Sequence, residues 1–223
     1  MSYGTNRVVG VDGGPRKGWN TALAVQAALD GAREKGAETS LYRLYDMDFK
    51  GCKSCFACKS AKGYLGGDCY LKDGLTPLLD ALKGAKGVVM GSPVYLGDVT
   101  ACMRAFWERY IFSNLAYDSQ NPSVLAAGPS CVVIYTMNVP REAMAPFGYE
   151  ELFKGHAGFL RRLNGASVEQ IAVCDTLQFD DYSLFHAPMF DEAHKRKVRE
   201  EAFPLDLKKA REAGGRLASS AGA

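Results

Sequence analysis

The chain has little net charge, few histidines and no long apolar run. Its 27 Lys and Arg stand against 25 Asp and Glu, a formal balance of +2. That balance gives no strong field for nucleic acid or for a membrane surface. No apolar stretch approaches the ~20 residues that a bilayer span needs, and no charged-then-apolar leader opens the chain. The expectation is a cytoplasmic protein that binds neither nucleic acid nor membrane. Two nucleotide fingerprints are also missing. No Gly-Lys-Ser/Thr closes a Walker loop, and no G-x-G-x-x-G marks a dinucleotide turn. The three histidines, His156, His186 and His194, sit in no catalytic pattern and read as surface or helix positions. The basic run 194–197 reads as a solvated helix face.

What is present is alternation. The 223 residues suffice for one full α/β domain. Short apolar runs at 7–12, 39–44, 87–91, 130–136 and 168–174 read as strands. Helical patterns cover 20–35, 74–84, 98–113 (with Asp98 as N-cap), 149–163 and 190–217, the last broken at Pro204. Strands and helices in turn predict a parallel sheet covered on both faces. Right-handed crossovers then make it a doubly wound α/β fold. Five strands fit the flavodoxin-like order 2-1-3-4-5. The expected organisation is a single domain over 1–223, with a cysteine-containing insertion at about 46–73 and a helical extension at about 189–218.

In such a fold, ligands bind beyond the carboxyl ends of the strands. Three loops should meet there. The first follows strand 1 and offers Gly13, Gly14 and Gly18 for close backbone approach. Arg16 and Lys17 bring charge to it, and Asn20 and Thr21 bring polar groups to a helix start. Free N–H groups and the positive helix end make this an anion site. With both nucleotide fingerprints excluded, a single terminal phosphate is the expected occupant. The second loop carries Pro93, Val94, Tyr95, Leu96 and Gly97: a fixed exit from the sheet, a flat ring, and backbone N–H groups for the edge of a planar cofactor. The third, Thr136, Met137 and Asn138, places polar groups where a buried strand emerges.

Seven cysteines form two sets. Cys102, Cys131 and Cys174 lie in apolar or helical patterns and read as small buried hydrophobes. Cys52, Cys55, Cys58 and Cys69 are clustered. Two-residue spacing can wrap thiolates round an iron–sulfur cluster, with Cys69 as fourth ligand and Lys53, Lys59 and Lys62 easing its negative charge. Four thiolates also suit a structural zinc. Free thiols or one labile disulfide form the third reading.

Taken in order, these loops resemble the NAD(P)H-dependent FMN reductase family and its iron–sulfur flavoprotein relatives, over nearly the whole chain. Gly13-Gly14-Pro15-Arg16 with Asn20-Thr21 is similar to the family's Gly-Ser-Pro-Arg…Asn-Thr phosphate loop. Gly91 to Tyr95 and the run Met103 to Arg109 resemble its flavin-ring loop and the helix behind it. Gly51 to Cys58, Cys69 and Lys72-Asp73 resemble its cysteine segment. Gln178 to Ser183 and Phe203-Pro204 look like features of one branch. The departures are Gly14, where the family has Ser, and Trp19, at a position often held by a small residue. More of the phosphate's binding then falls to backbone amides, Arg16, Asn20 and Thr21. The resemblance implies FMN as cofactor, NAD(P)H as co-substrate, and hydride passed through the flavin to a small acceptor such as a quinone or flavin. It implies no catalytic side chain. A homodimer or homotetramer is expected, with Phe106, Trp107, Tyr110 and Phe112 serving either an interface or packing within the monomer. Two other functions stay open: an iron–sulfur electron carrier serving a redox protein partner, and a binding or sensor protein without enzymatic activity.

Overall fold

A computed structural model describes residues 6–62, 66–125, 128–163 and 167–219. Its strands are β1 (Arg7–Asp12), β2 (Glu38–Arg43), β3 (Gly87–Tyr95), β4 (Asp98–Val99), β5 (Ser130–Met137) and β6 (Val168–Cys174). Five of them run parallel in the order β2-β1-β3-β5-β6, and β4 folds back antiparallel on the end of β3. Without that short addition this is the doubly wound order expected. Alternating residues of the central strands feed two cores. Val9, Val11, Val88, Met90, Val133 and Tyr135 face one side, and Val8, Val89, Val132 and Ile134 face the other. Each fully buried aliphatic side chain contributes about 1.5–3 kcal/mol.

Helices α1 (Asn20–Glu34), α2 (Thr76–Leu82), α3 (Ala101–Asn114), α4 (Tyr149–Arg161), α5 (Glu192–Glu201) and α6 (Phe203–Ser219) complete the layers. α2, α3 and α4 cover the first face, and α1 and α6 the second. α1 and α6 touch backbone to backbone. A Cβ on Gly31 would lie 1.8 Å from the Arg211 carbonyl oxygen, and one on Gly214 would lie 1.8 Å from that of Ala28. Pro204 stands at the start of α6, where its missing N–H is not needed. Phe106, Trp107 and Tyr110 are buried in this chain's own core, so monomer packing accounts for them. Cys131 and Cys174 are buried as expected, their thiols pushed up to about 12 and about 11 by burial. Cys102 is only half-buried.

Two boundaries differ from expectation near the carboxyl ends of the strands. β3 does not stop at Gly91; it runs on to Tyr95. β1 ends opposite Gly91, while β5 stays paired with β3 up to Pro93 and Thr136. Pro93 therefore stands at a free edge, where a strand tolerates proline. The helix expected from Asp98 begins at Ala101, with Thr100 as its N-cap accepting from the Met103 N–H at 3.2 Å. Asp98 belongs instead to a hairpin. Its two turn residues, Leu96 and Gly97, have φ of +51° and +86°, as a primed two-residue turn requires. A leucine in that conformation is strained, and this one is fully exposed at the hairpin tip.

Candidate active site

The loops converge at the carboxyl edge of the sheet. Gly14, Arg16, Asn20, Thr21, Pro93, Val94, Tyr95, Thr136, Met137 and Asn138 line one open cleft. Gly13, Gly18, Leu96 and Gly97 stand back from its lining. Gly13 forms the floor under the first loop. Its N–H donates to the Gly91 carbonyl at 2.8 Å, and its own carbonyl accepts from Thr100 Oγ1 at 2.9 Å. The N-terminus of α3 thus ties the first and second loops together, since the Thr100 N–H also donates to Ser92 Oγ at 3.0 Å.

The first loop delivers an uncapped helix end. Trp19 holds the N-cap position of α1 without a side-chain bond, and no acidic residue lies in the first turn. First-turn N–H groups and the helix dipole therefore face the cleft without competition, a setting that favours an anion. The side chains are more committed than the sequence implies. Arg16 donates to the Gln178 carbonyl at 2.6 Å and stacks on the Trp19 ring at 4.5 Å. Burial pulls its pKa down, and its remaining N–H groups still suit an anion. Asn20 donates to the Leu177 carbonyl at 2.9 Å and accepts from Arg199 at 2.7 Å. Thr21 and Thr136 share a hydroxyl–hydroxyl bond of 2.6 Å, which leaves one of the two O–H groups for a ligand. The Gly14 N–H is taken by Asp12 Oδ1 at 2.8 Å. Asp12 itself is fully buried. Burial raises its pKa, while the Gly14 N–H and the Arg43 guanidinium, 2.7 Å away, oppose that rise.

A fourth segment, Thr176, Leu177 and Gln178 after β6, completes the lining together with Trp19. The sequence reading missed it as site lining, although Gln178 already stood out as a branch feature. Two polar atoms among these residues decide what the cleft can do. Trp19 Nε1 and Thr176 Oγ1 are both buried without a hydrogen-bond partner. Buried polar groups are normally paired, so two orphans on one cleft mark places where a ligand's polar atoms fit.

A family description, NADPH-dependent FMN reductase, matches residues 6–138. The chain belongs to this family. An iron-sulfur flavoprotein of Methanocaldococcus jannaschii is 36% identical over 103 residues, covering 46% of this chain and 51% of the relative. An iron-sulfur flavoprotein of Methanosarcina thermophila is 28% identical over 127 residues, covering 56% and 64%. The chain thus spans about half to two thirds of the length of these relatives. Among solved structures, an NAD(P)H:quinone oxidoreductase from Methanothermobacter marburgensis superposes with a TM-score of 0.68 at 16% identity, covering 98% of this chain and 100% of that one. An azoreductase from Bacillus anthracis gives 0.65 at 14% identity, covering 94% and 99%. At such identities the likeness concerns the fold: the flavodoxin-like sheet seen here.

The cysteine segment packs against the second half of α3. Cys52, Cys55, Cys58 and Cys69 line one small cavity with Glu108, Arg109 and Phe112. Arg109 is fully buried; its Nε donates to Cys69 Sγ at 3.0 Å, and its other nitrogens hold Asp73 and the Lys50 and Leu71 carbonyls. Burial raises the Cys58 thiol's pKa, with Lys59 opposing that rise. Lys59 is spent on the end of α3, where it donates to the Phe112, Ser113 and Leu115 carbonyls. All four thiols are free. Among the described residues no three His, Cys, Asp or Glu side chains come together as a metal-holding group. The four thiols thus share one cavity. Glu108 to Phe112 lie eight to twelve residues along the chain from the Thr100 cap, or roughly 12–18 Å at the helical rise, and this cavity shares no lining residue with the cleft. Among the described residues no helix is long and apolar enough to cross a membrane.

Proposed function

We propose that this protein is an FMN-dependent NAD(P)H oxidoreductase that passes electrons to a small acceptor such as a quinone or flavin. The orphaned Trp19 Nε1 and Thr176 Oγ1 carry the reading, because they give the cleft unspent polar atoms beside an uncapped helix end. The family match and the quinone oxidoreductase and azoreductase folds support it. FMN would be held by the first-turn N–H groups of α1 and by Arg16, Thr21, Thr136 and Asn138, with Pro93, Val94 and Tyr95 along the ring. When bound, it supplies hydride acceptance and onward electron transfer. The chain's own part is to bind and orient. The α1 dipole and Arg16 offset phosphate charge, and Tyr95, 45% exposed, leaves an open aromatic wall at the mouth of the cleft. In this reading no side chain has the part of nucleophile or general base. A homodimer or homotetramer belongs to the same proposal, and sedimentation checks it.

An iron–sulfur electron carrier is the second reading. The shared cysteine cavity and the names of the two curated relatives favour it. The thiols as arranged do not form a ligand set, so no electron step is derived through a cluster. One anaerobic absorption spectrum with iron and sulfide analysis tests both readings. Flavin bands, quenching of added FMN fluorescence and NAD(P)H-dependent quinone reduction support the first. Stoichiometric iron and sulfide with slow NAD(P)H turnover support the second. Protein that neither binds FMN nor carries iron overturns both and leaves the binding or sensor alternative.

A further inference from the structure

The basic run on α5 is not a solvated face throughout. Lys195 is only 4% exposed. Its ammonium donates to Asn138 Oδ1 at 2.6 Å and to the Asn138 carbonyl at 3.2 Å, and it pairs with Asp175 Oδ1. The Phe190 ring lies 5.3 Å away. The other Asp175 oxygen meets His194 Nε2 at 2.7 Å. Asp175 sits just after β6 and immediately precedes Thr176, while Asn138 sits just after β5 and lines the cleft. One buried cation therefore joins the two strand ends that face the ligand. It lies on a helix beyond the 6–138 family match.

The chemistry of that contact is directional. An ammonium only donates, so Asn138 must turn its Oδ1 toward Lys195. Its Nδ2 is then the end left over, and among the described residues nothing accepts its protons. We infer that Lys195 is a positioning residue that locks the Asn138 amide with its NH₂ turned to the cleft, so that the third loop recognises an acceptor oxygen of the flavin. The inference rests on the flavin reading above. Lys195 touches no ligand; it sets the hydrogen-bond polarity of the residue that does. A neutral or accepting residue at 195 would leave the amide free to present either end.

The test is FMN titration by fluorescence quenching, with midpoint potentials and unfolding curves, on four proteins. Wild type establishes whether FMN binds. Asn138→Asp keeps the shape and the Lys195 pair but cannot donate. It should bind FMN about tenfold or more weakly, the ratio expected for one lost hydrogen bond and an added anion, and should lower the flavin midpoint potential. Lys195→Met should weaken FMN and destabilise the fold, because it leaves the Asp175 oxygen that faced Lys195 without its cation and only His194 as partner. Asp175→Asn with Lys195→Met removes both charges, and asparagine tolerates the positive φ of 58° at position 175. The double variant should regain stability yet still bind FMN about twofold or more weakly, because an amide free to present either end is competent in only about half the molecules. A double variant that recovers wild-type affinity, or an Asn138→Asp protein that binds as tightly as wild type, overturns the inference alone. Wild type that fails to bind FMN overturns the flavin reading and this inference with it.

Discussion

Replacing Thr176 by valine should make the protein more stable and its flavin complex weaker. Thr176 is 4% exposed, lines the cleft, and has a hydroxyl with no partner. A buried hydroxyl without a hydrogen bond costs about 1–3 kcal/mol. Valine has nearly the same shape and removes that cost. Taking the low end, the ligand-free protein should gain about 1 kcal/mol, or roughly 2–4 °C in Tm for a chain of this size. In the complex the same hydroxyl bonds the ligand, so its loss should remove about 0.5–1.5 kcal/mol, a roughly twofold to tenfold rise in the FMN Kd. Unfolding followed by circular dichroism without FMN gives the first number, and fluorescence quenching gives the second. The opposite signs are the diagnostic, since a merely structural hydroxyl would lower both stability and affinity or leave affinity untouched. A Tm that falls with an unchanged Kd would refute the assignment, because the hydroxyl would then be satisfied by something other than the ligand. Trp19→Phe makes the companion case: affinity should fall similarly, while its Tm also reflects the lost stacking with Arg16 at 4.5 Å.

Other outcomes follow from the same contacts. Sequence alone predicts that serine at position 14 leaves FMN affinity equal or tighter. The structure removes the tighter outcome, because a Cβ there meets Asp12 Oδ1 at 3.1 Å and Thr21 Cβ at 3.2 Å. Gly14→Ser should lower stability by about 1 kcal/mol without tightening FMN, and a tighter complex at unchanged Tm would count against the loop geometry. Gly214→Ala should cost about 3 kcal/mol, some 6–12 °C in Tm, by prising α6 from α1; a Tm within 2 °C of wild type, judged on that scale, would refute the backbone contact. His156 is 2% exposed, and burial holds its pKa below the ordinary imidazole value of 6.5, with Asp98 opposing that shift. Its neutral form therefore stabilises the fold above pH 6.5, and that stability is lost as pH falls through the lower folded value. His156→Gln should flatten the fall of Tm between about pH 7 and 5, and an unaltered pH profile would remove His156 as the cause.

The sheet was legible because parallel strands are local apolar runs: β1 and β6 coincide with the expected 7–12 and 168–174. The convergence of the loops was legible because strand order follows from crossover handedness once the strands are known. His156 lies in a helix, as expected, but its burial was not read, although a signal existed. It falls on the apolar face of α4 with Phe153, Ala157 and Leu160, at the i+3 and i+4 spacing of a buried stripe. There it packs edge-on against Trp107 at 4.9 Å and lies 3.2 Å from the Tyr135 hydroxyl. Lys195 had no such signal. Its neighbours His194, Arg196 and Lys197 are all polar, and its burial depends on Asp175 and Asn138, which are distant in sequence. No local pattern encodes that pairing.

The same dependence explains why the first loop carries less of the site than its motif implies. Arg16 and Asn20 were assigned to the ligand because they stand at a helix start after a glycine turn. Each already bonds a residue more than 150 positions later: Gln178 for Arg16, and Leu177 and Arg199 for Asn20. A carbonyl that accepts from Arg16 orients the guanidinium and consumes one of its donors. What the loop has left for an anion is mainly the uncapped backbone of α1 and the rest of that guanidinium. Arg199, whose pKa burial pulls down, brings a second cation within 2.7 Å of Asn20. The anion-favouring potential at the cleft is therefore assembled from both ends of the chain. Removing α5 and α6 should abolish the site even though every residue of the N-terminal motif remains.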